Sequence, residues 1–135
     1  MYKNLDFQRL AIERAAEAQL LLNGQRFSGA FYLAGYAIEL ALKAVLAKRF
    51  RSDEIPDLTL VKKIYSHDLS ALATLAGLDP QIDAQNEDFA ANWEVAKGWY
   101  EQSRYEIIDE ERATALVRAI LDDINGILTW LRTIW

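Results

Sequence analysis

The chain has 135 residues, with 15 Lys and Arg against 20 Asp and Glu and a formal net charge of −5. That length suits one domain with its own core, 1–135, and the acidic balance excludes a broad basic face for duplex nucleic acid. With no cysteine and a single histidine, disulfides and the common zinc ligand sets are excluded too.

Glycine and proline are scarce in a chain rich in Ala and Leu, which favours helix throughout. Leu5 to Leu22 places Phe7, Ala11, Ala15, Ala18 and Leu22 at helical spacing, with Asp6, Arg9, Glu13 and Glu17 largely off that stripe. Asn23 and Gly24 supply residues able to adopt the left-handed conformation that ends a helix. The short connection predicts an antiparallel neighbour.

Ser28 to Ala47 contains only two charges, Glu39 and Lys43. At about 100° per residue, Ala30, Ala34, Ala37, Ala41 and Ala44 form a seam of small side chains, and Phe31, Ile38, Leu42 and Val45 cover the adjoining arc. A thin polar stripe remains: Tyr32, Tyr36, Glu39 and Lys43. The pattern predicts a central core helix whose one wet face borders the protein's cleft. The segment is long enough to span a bilayer, but two charges past its middle and its many small residues argue against that. Met1 to Gly24 has no compact apolar stretch of the signal-peptide kind, so the expected location is the cytoplasm, with no membrane.

Lys48, Arg49 and Arg51 close the second helix, and a mixed polar loop with Pro56 runs to Ser66. Ser66 is the expected cap of a short helix from about His67 to Ala76, ended by Gly77. A fourth helix is predicted over Ala84 to Gln102, with Phe89, Trp93, Ala96 and Tyr100 on one face and Trp99 beside it. Asp109 caps the last helix, whose stripe reads Ala113, Leu116, Val117, Ile120, Ile124, Ile127, Leu128 and Leu131. Trp130 and Trp135 read as core or interface residues. Together these elements predict an all-α, up-and-down bundle of four to five helices.

Chemistry has few places to reside. Glu39 and Lys43 form an i,i+4 pair in the favoured orientation, either structural or in need of further partners in so apolar a setting. His67, beside Asp68, is a packed ring or a base. Arg104, in the run Trp99, Tyr100, Ser103, Arg104, Tyr105, is a phosphate ligand, a cation over a ring or a brace for Glu39. No glycine-rich phosphate loop, carboxylate metal cluster or nucleophile elbow is present, and no cofactor is expected.

Three pieces together resemble the HEPN domain family. They are Ala30-Phe-Tyr-Leu-Ala-Gly-Tyr-Ala-Ile-Glu-Leu-Ala-Leu-Lys43-Ala, preceded by Leu-Leu-Leu-Asn-Gly-Gln-Arg-Phe; His67-Asp68-Leu69; and Trp99 followed five residues on by Arg104-Tyr105. The resemblance implies a helical bundle that forms a homodimer, binds a nucleotide or RNA, and pairs with a minimal nucleotidyltransferase in toxin and antitoxin systems. It places Tyr36, Glu39, Lys43, His67, Arg104 and Tyr105 around the family cleft. Many members are metal-independent RNA endonucleases with an arginine and a following histidine separated by four to six residues. This chain departs from that pattern: Asp109, Glu110 and Glu111 stand where histidine should follow Arg104, and Lys62 stands where arginine should precede His67. The expectation is a domain without catalysis, the alternative a ribonuclease built on Arg104 and His67.

Overall fold

Helices Asn4–Asn23 (α1) and Phe27–Ala47 (α2) form an antiparallel pair in the computed structural model, which describes residues 2–50 and 53–135. Ala11, Ala15 and Ala18 are buried on α1, and Ala30, Ala34, Ala37, Ala41 and Ala44 are buried on α2. Small side chains let the two backbones approach closely, and α1 and α2 share the most extensive packing in the fold. The Asn4 side chain donates to the Ala44 carbonyl at 2.7 Å and pins the start of α1 to the end of α2. Helix α1 ends at Asn23 as expected, but the left-handed residue is Gln25, with φ 60°, and not Asn23 or Gly24.

α2 is the hub, packing against α1, α4 (Leu69–Leu75), α7 (Glu110–Leu121), α8 (Ile127–Leu131) and a 3-10 helix at Glu101–Tyr105. Its length and hydropathy suit a membrane span, but 72% of that apolar window is buried against the protein's own elements. The remaining helices are α3 (Leu58–Ile64), α5 (Asp79–Asp83) and α6 (Glu87–Lys97), and no strand occurs among the described residues. The all-α class is as expected, with shorter elements than the periodicity suggests.

The differences have local causes. Helix α3 falls inside the segment expected to be a loop, and Asp57 caps it by accepting from the Thr59 amide at 3.1 Å. Arg51, expected to help close α2, lies outside the described residues. Asp68, not Ser66, caps α4, accepting from the Ala71 amide at 3.0 Å, while Ser66 Oγ accepts from the Asp68 amide. His67 therefore precedes the helix. Gly77 ends α4 with φ 70°, as expected. Asn86 caps α6, which stops at Lys97; Trp99 is buried, and Tyr100 leads into the 3-10 helix instead of extending the stripe.

Asp109 caps α7 as predicted, accepting from the Arg112 amide at 2.8 Å. The predicted last helix is broken in two. The Asp122 carboxylate accepts from the amides of Ile124 and Asn125, competing with helical pairing, and a Cβ at Gly126 would lie 2.4 Å from the Asp122 carbonyl. Ile124, expected on the apolar stripe, is 85% exposed, whereas Ile127, Leu128 and Leu131 return to the core on α8. Trp130 meets Phe89 edge-on at 5.3 Å between ring centres, and Trp135 packs on the core's edge.

Gly35 fixes one more junction. A Cβ there would stand 2.2 Å from the indole of Trp99, so the ring lies directly on the α2 backbone. Gly35→Ala is expected to displace Trp99 and cost about 1–3 kcal/mol of unfolding free energy in urea titration, overpacking outweighing the gain in helix propensity. An unchanged midpoint would contradict this contact.

Candidate functional site

The polar stripe of α2 is wet only at its margins, Tyr32, Tyr36 and Lys43 being half-buried. Glu39, at its centre, is 2% exposed. A buried carboxylate is tolerated only with close partners, and it has two. Lys43 Nζ stands 3.0 Å from Oε2, one helical turn on, and His67 Nδ1 stands 2.9 Å from Oε1. The His67 ring reaches back to α2 because its residue lies ahead of the Asp68 cap, where the backbone is not yet helical.

The path continues outward. His67 Nε2 lies 3.8 Å from Glu101 Oε2, and Glu101 Oε1 lies 3.1 Å from an Arg104 guanidinium nitrogen. Side-chain exposure divides the path, with 12% and 2% at Lys43 and Glu39 against 47%, 22% and 45% at His67, Glu101 and Arg104. Five ionisable groups thus run from the core to the surface, with the imidazole set between two carboxylates. A neutral imidazole facing a carboxylate through Nδ1 must carry its hydrogen there, which leaves Nε2 as the free lone pair.

Aromatic rings line this path. Tyr32 and Tyr36 stack at 6.1 Å, and Tyr32 meets Trp99 at 6.0 Å. Tyr105 is exposed, with the Arg104 guanidinium 4.8 Å from its ring centre. Arg104 is held above its ordinary pKa chiefly by Tyr105, with Glu101 and Tyr32 adding, so it stays cationic. Burial raises the Tyr36 phenol, and the negative charge of Glu39 adds to the shift. Trp99 Nε1 and Ser103 Oγ are buried without a protein partner.

Of the six residues expected around a cleft, Glu39, Lys43 and His67 meet directly. Arg104 is joined to them through Glu101, and does not brace Glu39. Tyr36 flanks Glu39, and Tyr105 lies outermost, beside Arg104. Glu101 was missed by sequence reasoning, although its i,i+3 spacing to Arg104 is the signal that would have found it. Two surface hollows, one beside Leu128 and Arg132 and one between Leu46 and Ile64, are lined by none of these six residues.

The raised Tyr36 pKa has a definite sign. The folded protein holds the phenolic proton that the unfolded chain releases near pH 10, so this stabilisation is complete below pH 10 and is lost as pH rises through the folded value. Urea unfolding from pH 9 upward should show stability falling, and Tyr36→Phe should flatten that fall; an unaltered slope would contradict the assignment.

The HEPN domain family matches the chain over residues 6–134. No curated protein and no solved structure matches it significantly.

Proposed function

The chain belongs to the HEPN domain family, and on that premise we propose that it binds a nucleotide or a single-stranded RNA segment at the outer end of the Glu39 path, without catalysis. The supporting observation is the clustering of Arg104 and His67, each about half exposed, beside Tyr105 and the Tyr32–Tyr36 stack. A guanidinium that donates from several N–H groups suits phosphate, imidazole supplies a second donor when protonated, and tyrosine rings accept an unstacked base. The acidic chain as a whole suits a short local contact, not a long nucleic-acid track.

One observation favours a second reading. Glu39 orients His67 through Nδ1 and leaves Nε2 outward, as a base for an RNA 2′-hydroxyl requires, with Arg104 as the phosphate contact. Such a ribonuclease would cleave without metal.

The reading extends to a homodimer and to a minimal nucleotidyltransferase partner of the toxin and antitoxin kind. A second copy suits the outer face of α1, where Leu5, Ile12, Ala16 and Leu20 are exposed opposite the buried alanines. An antiparallel copy turned about a twofold axis near Ile12 sets Leu5 against the second copy's Leu20. It also brings Arg9 toward the acidic flank of Glu13 and Glu17.

Fluorescence anisotropy with a labelled single-stranded RNA tests the binding reading: the wild type binds, and Arg104→Ala weakens it at least about tenfold, roughly 1.4 kcal/mol. No binding to RNA or mononucleotides would overturn it. The same RNA incubated with excess chelator separates the two readings, since cleavage that disappears in His67→Ala establishes the ribonuclease. Light scattering reads the dimer, which Leu20→Glu is expected to dissociate; a monomeric wild type would refute it.

A further inference from the structure

Glu101 stands where an anionic ligand of the proposed site would stand. Its two carboxylate oxygens face different groups: Oε1 is 3.1 Å from Arg104, and Oε2 is 3.8 Å from His67 Nε2. The residue sits on the 3-10 helix, three positions before Arg104, and the path it completes is closed at its inner end by the Lys43–Glu39 pair. Arg104, the cation a ligand phosphate would use, is therefore already paired with the protein's own carboxylate, whose other oxygen stands beside the His67 ring.

We infer that Glu101 is an internal stand-in for phosphate that guards the site, and that the ligand able to replace it is a terminal phosphate. This rests on the nucleotide-binding reading above. Tethered so close in sequence, the carboxylate competes at an effective concentration of roughly millimolar or higher. An internal phosphodiester carries one negative charge, as the carboxylate does, and gains nothing electrostatic from the exchange. A terminal phosphate carries about −1.5 to −2 near neutral pH and three acceptor oxygens.

Guarding of this kind restricts the site to phosphorylated ends, with the exposed Tyr105 ring available to the adjoining base.

The experiment compares one short single-stranded RNA carrying a 5′-phosphate or a 5′-hydroxyl, by anisotropy, against wild type, Glu101→Gln and Glu94→Gln. Glu94 lies on α6, paired with Lys97, so its variant removes the same charge away from Arg104. The expected result is that wild type prefers the phosphorylated end. Glu101→Gln should tighten that RNA about tenfold and the hydroxyl form much less, while Glu94→Gln stays within about twofold of wild type. Equal binding of the two ends, or an unchanged or weakened affinity in Glu101→Gln, overturns the inference while the binding reading stands. Equal tightening by both variants reduces the effect to net charge and also overturns it. Absence of all RNA binding removes the underlying reading and this inference together.

Discussion

The Glu39 carboxylate is the constraint around which this site is organised. Removing such a group from water costs several kcal/mol unless charges and hydrogen bonds compensate. α2 supplies one of the two partners, Lys43, one turn on along the same face. The second partner comes from the chain 28 residues further on, through His67. Closing α2 into the core thus depends on the segment before α4 folding back over the polar stripe. Apolar packing alone does not require a particular ring orientation there, whereas the carboxylate does.

The direction imposed on His67 connects stability to chemistry. Nδ1 is taken by Glu39, so Nε2 is directed toward Glu101 and solvent. Glu101 in turn holds Arg104 at the surface, beside rings that pack back to Trp99 and Gly35. A feature of the fold, the lack of any side chain at Gly35, seats the segment carrying Trp99, Glu101 and Arg104 against α2. The Ile108 amide donating to Ser28 Oγ at 2.9 Å ties the exit of that segment to the start of the same helix. Site and core are held by one set of contacts.

Much of this was legible in the residues because it is local. The alanine seam of α2, the apolar stripe of α1 and the Asp109 cap each follow from spacing within one or two turns. The break at Asp122 to Gly126 was not legible, because Ile120, Ile124, Ile127 and Leu128 remain in helical phase across it. The interruption arises instead from a side chain competing for backbone amides. Short α3 was hidden in a polar stretch where seven residues give too little periodicity to read. The polar stripe and its need for further partners were recognised, but His67 as the group that covers Glu39 was not, since it is 28 residues distant in sequence. The family resemblance placed the six site residues near one another without indicating that Glu101 links two of them.

The central claim, that buried Glu39 holds the imidazole through Nδ1 and turns Nε2 outward, is open to one direct measurement. With a single histidine in the chain, its two ring nitrogens give an unambiguous ¹⁵N signal pair. At a pH where the ring is neutral, the account predicts the hydrogen on Nδ1 in the wild type and a shift toward Nε2 in Glu39→Gln. A wild-type ring carrying its hydrogen on Nε2, unchanged by that substitution, would contradict it.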